Sequence, residues 1–194
     1  SAFHVTTDQE AVYVQDQWSF GRYRVLAALR HTDDKSFGGH STGELAFGYE
    51  IGPRARVHAS FATGFRAPDA TDRFGPGGNP DLEPERSRNA EVGWRFRPTP
   101  EHTFSLAAFN NDIDNLITFV DPDGFENPLP GRNENLEEAR VRGLEATHTW
   151  TGTRWIVETS IVAQSPENRA TGRTLPRRAR RHLSLRGSYR TGPL

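Results

Sequence analysis

The chain has 194 residues, a formal net charge of −1 at pH 7 and 34% hydrophobic residues, with a mean hydropathy of −0.72. It contains no run of about 18 apolar residues, which excludes a membrane-spanning helix, and its balanced charge argues against a nucleic-acid binder steered by excess positive charge. The absence of cysteine excludes disulfides, thiolate metal sites and cysteine nucleophiles.

Three strands are predicted in the first part of the chain, from apolar residues at every second position. The first spans 11–20, although Asp16 interrupts its apolar face, and the second spans 22–30. Residues 33–42 are predicted to be a loop. The third strand, 44–51, shows the cleanest alternation in the chain.

The next two strands repeat the two-faced pattern and enclose a long loop. Residues 54–66 and 89–97 both alternate apolar residues with polar or small ones. The connection between them, 67–86, contains too many prolines and glycines for a helix or a central strand. It is therefore predicted to be loop throughout.

The last four predicted strands are 104–119, 139–150, 155–163 and 182–190, with loops at 120–134 and 165–176. In the first of these strands the apolar residues move from even positions, such as Leu106, to odd positions, such as Ile113. A β-bulge near Phe109 is the simplest explanation of this change. The alternation predicts about nine strands in all.

The connections between the predicted strands alternate in length. Short turns lie near Gly21, Gly52, Pro98 and Gly152, and long loops lie near Lys35, Phe74, Phe125 and Arg169. Short turns on one edge and long loops on the other are typical of outer-membrane barrels. The predicted fold is therefore an all-β, antiparallel, up-and-down transmembrane β-barrel segment with short periplasmic turns and long extracellular loops.

Aromatic residues cluster beside the short turns. The predicted membrane-interface belt consists of Trp18, Tyr49, Trp94, Trp150 and Trp155. Tryptophan and tyrosine favour the boundary between hydrocarbon and water because their rings are amphipathic. The pattern alone leaves open a soluble antiparallel sandwich that packs the same apolar faces inward.

Two sequence runs carry a resemblance to a known family. Phe61-Ala-Thr-Gly-Phe-Arg-Ala-Pro68 is followed by Gly78-Asn-Pro-Asp-Leu-Glu-Pro-Glu-Arg-Ser-Arg-Asn-Ala-Glu-Val-Gly93. In order and spacing these runs resemble the barrel segment of TonB-dependent outer-membrane transporters, which are gated barrels of about 22 strands with a separate plug in the lumen. Arg140-Val-Arg-Gly-Leu-Glu145 and Leu175-Pro-Arg-Arg178 look most like the cobalamin branch.

The resemblance implies uptake of a scarce nutrient such as cobalamin across the outer membrane of a Gram-negative-type bacterium. Outer loops would capture the ligand, an inner-membrane energy-coupling complex would pull on the plug, and the barrel wall would stay rigid. Residues 1–194 would be a partial β-barrel domain of about nine strands, without the plug or the remaining strands. The implied partners are outer-membrane lipid and lipopolysaccharide, the plug, the coupling complex and a small nutrient ligand, with no nucleic acid.

Ligand contact in this family comes from the upper barrel wall and the outer loops, in addition to the plug. Transferred by position, the candidate contact residues are Arg66, Asp69, Phe74, Phe119, Asp121, Asp123 and Phe125. Exposed aromatic residues in loops often mark binding surfaces. The basic run 177–181 suits lipid phosphates at the outer rim better than nucleic acid, because arginine pairs bidentately with phosphate. A solvated cluster at the rim is favoured over either specific site.

No cofactor is expected. Asp112, Asp114, Asp121 and Asp123 offer hard oxygen ligands for calcium, but their spacing does not match the twelve-residue calcium loop. The seven histidines lack the spacing of metal ligands. Nothing in the sequence selects an enzyme.

The sequence also leaves three alternatives to a cobalamin transporter. A siderophore or haem receptor of the same family would share most of these motifs. A complete small outer-membrane barrel acting as a pore or adhesin would need an even number of strands, closed from these residues alone. A soluble ligand-binding β-sandwich would need a dry interior between two sheets.

Overall fold

The computed structural model describes residues 7–121 and 131–191. The described residues form nine strands and one short helix. These are β1 (Gln9–Phe20), β2 (Tyr23–Asp34), β3 (Gly38–Ile51), β4 (Ala55–Arg66), α1 (Ala70–Phe74), β5 (Glu85–Phe96), β6 (His102–Val120), β7 (Arg132–Thr151), β8 (Trp155–Asn168) and β9 (Arg181–Tyr189). No helix in these ranges has the length and apolar character needed to cross a membrane.

The strands form one antiparallel sheet in which each strand pairs with its neighbours in sequence. This up-and-down order confirms the all-β prediction. The connections 21–22, 52–54, 97–101 and 152–154 lie on one edge, which we call the short-turn edge. The connections β2–β3, β4–β5, β6–β7 and β8–β9 lie on the opposite edge, which we call the long-loop edge. The β2–β3 connection is only the turn 35–37, so the predicted long loop near Lys35 is wrong.

The predicted loop at 33–42 is wrong, because β2 continues to Asp34 and β3 begins at Gly38. The carboxylate of Asp34 accepts hydrogen bonds from the backbone N–H groups of Ser36 and Phe37, which fixes a tight turn. Here the two strands extend past the apolar zone with polar and small residues. Such ends show no alternation, so the sequence pattern places the strand boundary too early.

Three other strands also run further than predicted. β5 begins at Glu85, β7 begins at Arg132 within the predicted loop 120–134, and β8 continues to Asn168 within the predicted loop 165–176. In each case backbone pairing with a neighbour extends a polar strand end. The ladder hydrogen bonds depend on the neighbouring strand rather than on local sequence.

The prediction that 67–86 is loop throughout is also wrong, because α1 interrupts it. The helix begins after Asp69, whose carboxylate accepts a hydrogen bond from the Asp72 N–H at 2.7 Å. The Asp72 carboxylate in turn accepts one from the Asp69 N–H at 3.1 Å. This reciprocal capping box satisfies two free helix donors, and it stabilises one helical turn in an otherwise unfavourable sequence.

The two faces of the sheet differ in chemistry. One row of paired residues crosses all nine strands through Phe20, Tyr23, Tyr49, Val57, Trp94, Leu106, Ala146, Ile161 and Leu183. Every member is apolar or aromatic, and Phe20, Ile161 and Leu183 are more than half exposed. We call this side the apolar face. Its exposure contradicts the soluble sandwich, in which a second sheet would cover it.

The same row shows that the strands are staggered. In β1 and β2 the row lies at the short turn itself, because Phe20 and Tyr23 flank that turn. In β8 the row lies at Ile161, six residues beyond Trp155, where that strand begins. A steady shift of register between neighbouring strands is what tilts the strands of a barrel against its axis.

The predicted bulge near Phe109 is wrong. Both ladders of β6 continue without interruption there, with Phe109 opposite Glu91 on one side and Gly143 on the other. The irregular residue is Asn115, with φ 58°, a value that is uncommon outside glycine. The apolar residues change side because β6 leaves the apolar face and continues into a small core at the long-loop edge.

That core contains the main cluster of buried apolar side chains among the described residues. Its buried members are Ile113, Leu116, Ala139, Val141 and Leu175, with Phe109 and Leu136 packed against them. In β7, Ala139 and Val141 occupy odd positions, whereas Leu144 and Ala146 occupy even positions on the apolar face. The core therefore lies on the opposite, inner face, and Leu175 brings the connection 169–180 over that face.

Candidate functional site

The long-loop edge is braced by contacts between the connection 67–84 and the start of β7. The Asn79 side-chain amide donates to the Asn133 carbonyl at 3.0 Å. The Asn135 side chain accepts from the Glu83 N–H at 2.8 Å and donates to the Glu83 carbonyl at 2.9 Å. The motif that carries the family resemblance therefore fixes a loop against a neighbouring hairpin.

Arg66 links the end of β4 to the helix and to β5. Its guanidinium donates to the Asp72 carboxylate at 2.8 Å and to the Glu85 carboxylate at 2.9 Å. The hydrogen bond to Glu85 is the main reason why the pKa of Arg66 lies above its usual value. Since Asp69 caps α1, the charged groups of both predicted contact residues are engaged within the loop.

Phe74 ends α1 and is 39% exposed. The guanidinium carbon of Arg73 lies 4.9 Å from the centroid of the Phe74 ring and 5.4 Å from that of Phe37. These are cation–π contacts. They connect the helix to the β2–β3 turn, so Phe74 lies at a junction between two connections of the long-loop edge.

Phe119 and Asp121 lie together on the wall of a cavity of about 540 Å³. The cavity lies between the end of β6 and the connection 169–180, and we call it the mouth cavity. Its wall also includes Leu136, Arg173 and Arg177. A cavity of this size matches the usual range of small-molecule sites. Because Leu136 and the loop also pack on the core, the cavity lies on the inner side of the sheet.

The Phe119 ring is held by close contact with two glycines. A Cβ added to Gly77 or to Gly131 would lie 2.6 Å or 2.7 Å from ring carbons of Phe119, respectively. Real side chains do not approach so closely, so any larger residue would displace the ring. Gly77 also has φ 71°, a left-handed conformation that favours glycine. The position of Phe119 is therefore set by the packing of two connections.

The three charged side chains of the mouth cavity, Asp121, Arg173 and Arg177, have no side-chain partner within the described ranges. The Asp121 Oδ1 atom is buried and accepts no hydrogen bond. Arg173 and Arg177 form no ion pair with Asp121, although all three line the same cavity. Sequence reasoning missed Arg173. It also assigned Arg177 to a solvated cluster at the rim and did not foresee that this residue lines the mouth cavity.

Two predicted contact residues, Asp123 and Phe125, lie outside the described residues. Of the acidic residues considered for calcium, Asp112 accepts from Arg140 at 2.6 Å and Asp114 accepts from Arg88 at 3.1 Å. Across the described ranges no group of three or more acidic or histidine side chains is arranged to hold a metal ion.

The five predicted belt residues lie on the apolar face, towards the short-turn edge. They are Trp18, Tyr49, Trp94, Trp150 and Trp155. Ring centroids lie 5.1 Å apart for Tyr49 and Tyr23, 5.4 Å for Trp94 and Phe96, and 4.8 Å for Trp155 and Tyr189. Because the turns step along the sheet, these aromatic contacts form a staggered line.

The inner face is polar over its middle part. Arg24 donates to Glu50 at 3.3 Å, and the His58 imidazole lies 3.1 Å from the Glu91 carboxylate. The His58 ring lies close to Gly93, where an added Cβ would clash with it. Because Gly93 has no side chain, the His58 ring can lie close to the sheet. The inner face is therefore polar without projecting far into the lumen, which suits a lumen that has to contain water or another domain.

The family model "TonB dependent receptor-like, beta-barrel" matches residues 1–194. The chain belongs to the TonB-dependent receptor family. Members of this family are receptors and transporters rather than enzymes, and their barrels lie in the outer membrane of Gram-negative bacteria. The sheet of this TonB-dependent receptor is therefore a section of outer-membrane barrel wall.

Three similar proteins show how much of the chain, and how much of each relative, the similarity covers. The vitamin B12 transporter BtuB of Vibrio vulnificus (strain YJ016) is 31% identical over 188 residues, which is 94% of this chain and 29% of that protein. The iron-regulated outer membrane virulence protein of Vibrio cholerae serotype O1 (strain ATCC 39541 / Classical Ogawa 395 / O395) is 30% identical over 167 residues, or 76% of this chain and 26% of that protein. The solved structure of the siderophore receptor PirA from Pseudomonas aeruginosa superposes with a TM-score of 0.68 at 25% identity, covering 82% of this chain and 32% of that chain.

The chain thus spans less than a third of the length of each of these relatives.

Proposed function

We propose that this chain forms part of the wall and mouth of an outer-membrane transporter that takes up cobalamin. The observation that carries the proposal is the 31% identity, over 94% of the chain, to a vitamin B12 transporter. The staggered sheet supports the transport part, because one face is apolar and the other polar. Such a wall separates lipid from an aqueous lumen.

In this proposal residues 1–194 are a partial barrel domain, and the remaining strands and the plug belong to the rest of the protein. The wall is the rigid part. Two of its inner charges, Arg24 and Glu50, form an ion pair with each other, so passage of a plug leaves neither of them unpaired. The energy comes from an inner-membrane complex that pulls on the plug.

Ligand capture would take place at the mouth. Phe119 and Asp121 are the contact residues that we favour, because both line the mouth cavity on the inner side. Arg66 and Asp69 would act mainly by holding the connection 67–84 in place. Phe74, Asp123 and Phe125 stay predicted contacts.

The outer wall would contact lipid. The apolar face faces acyl chains, and the belt residues mark the periplasmic membrane interface. Arg181 pairs with Ala163 at the long-loop end of the apolar face and is exposed, which supports a contact between its guanidinium and lipid or lipopolysaccharide phosphates.

A siderophore receptor is the second candidate. It is supported by the iron-regulated outer membrane virulence protein at 30% identity and by the siderophore receptor PirA among the similar structures. The barrel wall is common to both functions, so the distinction depends on the ligand that binds at the mouth.

The test is uptake by cells that lack their own vitamin B12 transporter and express the complete protein that contains this chain. We expect uptake of labelled cyanocobalamin that stops when the inner-membrane proton gradient is collapsed. Cells with an empty vector are the control. Uptake of ferric enterobactin without cyanocobalamin would establish the siderophore alternative, and uptake that survives loss of the gradient would indicate a passive pore.

A further inference from the structure

We infer that Asp16, on the apolar face of β1, forms an ion pair with an arginine or lysine of the barrel strand that adjoins the other edge of β1. We call this edge, which faces away from β2, the open edge, because no strand among the described residues pairs with it. The inference rests on the proposed function, in which the apolar face contacts lipid and residues 1–194 are part of a larger barrel. It adds an interaction surface and the chemistry of the strand that fits it.

Asp16 lies within the apolar zone of the sheet. It pairs with Ala27 of β2 and is two positions further from the short turn than the belt residue Trp18. Because side chains alternate between the faces of a strand, Asp16 points to the same side as Trp18 and Val14. Val14 and Leu29, which are 65% and 66% exposed, continue the apolar face beyond it. The carboxylate is therefore surrounded by apolar side chains on β1 and β2.

A charge in this position is unfavourable unless it has a partner. Charged side chains on the lipid face destabilise membrane barrels, and ionisable residues within membranes usually pair with one another. Between the belt and the polar ends of the described strands, Asp16 is the one residue with a formal charge on the apolar face. Its position therefore requires an explanation.

Elsewhere in this wall, a polar side chain on the apolar face is satisfied by the neighbouring strand. His148 of β7 lies two positions from the belt residue Trp150, and its Nε2 atom is 3.0 Å from Nδ1 of His102 on β6. The ring of Phe104, also on β6, stacks on His148 with the centroids 4.4 Å apart. On the β2 side, Asp16 has only the methyl group of Ala27 opposite it. A comparable partner for Asp16 must come from the open edge.

The carboxylate of Asp16 also turns towards the open edge. Its Oδ1 atom accepts a hydrogen bond from the Gln17 N–H at 2.8 Å. Phe20 and Tyr23 flank a two-residue turn, so they form a hydrogen-bonded pair, and such pairs alternate along the ladder. By this alternation Asp16 exchanges backbone hydrogen bonds with Ala27, whereas Gln17 directs its N–H away from β2. The Asp16 carboxylate therefore lies against the open edge.

This geometry defines the partner. A residue that is hydrogen-bonded to one neighbouring strand forms a non-hydrogen-bonded pair with the other, in which the Cα atoms are only about 4.5 Å apart. The residue opposite Asp16 on the adjoining strand thus faces lipid and lies within reach. A carboxylate only accepts hydrogen bonds, so a side chain that both donates to it and neutralises its charge is an arginine or a lysine. It lies opposite Asp16 or one pair along.

The ion pair also sets the register of the adjoining strand on β1. A shift of one residue would move the cation from the lipid face to the inner face and leave Asp16 alone among apolar side chains. The correct register is therefore the one that satisfies both charges.

The test measures urea unfolding of the purified complete protein in a maltoside detergent, which contains no amine. We expect Asp16→Leu to lower the folding equilibrium constant about tenfold, because it removes a hydrogen bond between charged groups and leaves the cation unpaired. Asp16→Lys should lower it further, since it opposes two cations. If Asp16 has no partner, the sign is reversed, because leucine is preferred on the lipid face and Asp16→Leu would then stabilise the barrel.

Glu10→Leu is the matched control. Glu10 is exposed on the same face of the same strand, but it lies beyond Val12 and outside the apolar zone. Its replacement by leucine should change the folding equilibrium constant by no more than about twofold. An unchanged or higher stability of Asp16→Leu would overturn the inference.

Charge exchange separates pairing from a general loss of folding. Asp16→Lys, combined with glutamate in place of the basic residue on the adjoining strand, should restore the urea midpoint to nearly the wild-type value. Failure of this double variant to recover would overturn the inference. So would the absence of any arginine or lysine opposite Asp16 or one pair along.

Two comparisons separate this inference from its alternatives. If Asp16→Leu lowers stability in phosphatidylethanolamine vesicles but not in detergent, the cation is a lipid amine and the pairing between strands is wrong. Urea unfolding needs no nutrient, so its result is independent of uptake. Uptake of cyanocobalamin together with a stabilising Asp16→Leu would overturn this inference alone, and a successful charge exchange without uptake would overturn the proposed function alone.

Discussion

Asp112 and Arg140 lie opposite each other on β6 and β7, beyond the last apolar side chains that these strands place on the apolar face. Arg140 Nε donates to the Asp112 carboxylate at 2.6 Å, and both side chains are about a quarter exposed. This hydrogen bond is the main cause that holds the pKa of Asp112 below its usual value of 3.8. The pair therefore favours the folded state wherever the carboxylate is ionised.

The sign of the pH dependence follows from this lowered pKa. The stabilising contribution of Asp112 is complete above the pKa of an unfolded aspartate and is lost as pH falls through the lower folded value. We expect Asp112→Asn to lower the urea midpoint of the complete barrel at pH 7 and to have a smaller effect at pH 3. The control, Asp33→Asn, replaces an exposed carboxylate without an ion pair in the described part of the chain. A constant effect of Asp112→Asn at both pH values would contradict the assignment.

The candidate site shows how far single residues can be read from sequence. Phe119 and Asp121 could be named in advance because the family resemblance implies ligand contact at the upper barrel wall and the outer loops, although that contact stays a prediction. Arg173 and the inward position of Arg177 could not, because a separate connection brings them to Phe119 through burial of Leu175. No local pattern encodes that packing.

Individual strands were predicted well in number and less well in length. The alternation identifies the nine strands where one face is apolar, since that face contacts a different solvent. It fails at the polar ends of β2, β3 and β7, where backbone pairing alone extends the strand. The alternation also predicts a bulge near Phe109, which is wrong. Along β6 the apolar residues move from the apolar face to the small core, and this shifts them from even to odd positions just as an inserted residue would.

Close packing between β7 and its neighbours gives a prediction at the scale of the element. A Cβ at Gly143 would lie 2.6 Å from the Ala163 carbonyl oxygen and 2.8 Å from the Phe109 ring. The backbone would have to shift, so we expect Gly143→Ala to destabilise the complete barrel by about 1–3 kcal/mol. Urea unfolding in detergent measures this change.

Gly187 in β9 supplies the matched control. A Cβ there meets no atom within 4 Å, and the residue does not have a left-handed φ. Gly187→Ala should therefore change the free energy of unfolding by no more than about 0.5 kcal/mol. Equal destabilisation by both variants would show that glycine is needed for strand flexibility and not for space between β7 and β8.

The whole sheet owes its shape to a register that steps in one direction. The row that starts at Phe20 and Tyr23 reaches β8 six residues from its first residue, Trp155. The belt residues near the short turns are displaced from strand to strand by the same register shift. They lie at one depth in the membrane only if the strands are tilted. The belt, the apolar face and the two edges are therefore all consistent with one orientation, in which the short-turn edge faces the periplasm and the long-loop edge faces outward.

That orientation can be measured with single cysteines, because the chain contains none. Ala170 lies exposed in the β8–β9 connection at the long-loop edge, and Thr153 lies exposed in the β7–β8 turn at the short-turn edge. We expect a membrane-impermeant maleimide to label Ala170→Cys in intact cells that express the complete protein. It should label Thr153→Cys only after the outer membrane is permeabilised.

Leu185→Cys tests the apolar face in the same experiment. Leu185 is 74% exposed on that face, so in water it would react readily. Under acyl chains its thiol should stay unlabelled until the protein is extracted and unfolded, because a maleimide of this kind does not enter hydrocarbon. Labelling of Thr153→Cys in intact cells would reverse the assigned orientation. Labelling of Leu185→Cys in the native membrane would mean that water or protein, and not lipid, covers this side of the wall.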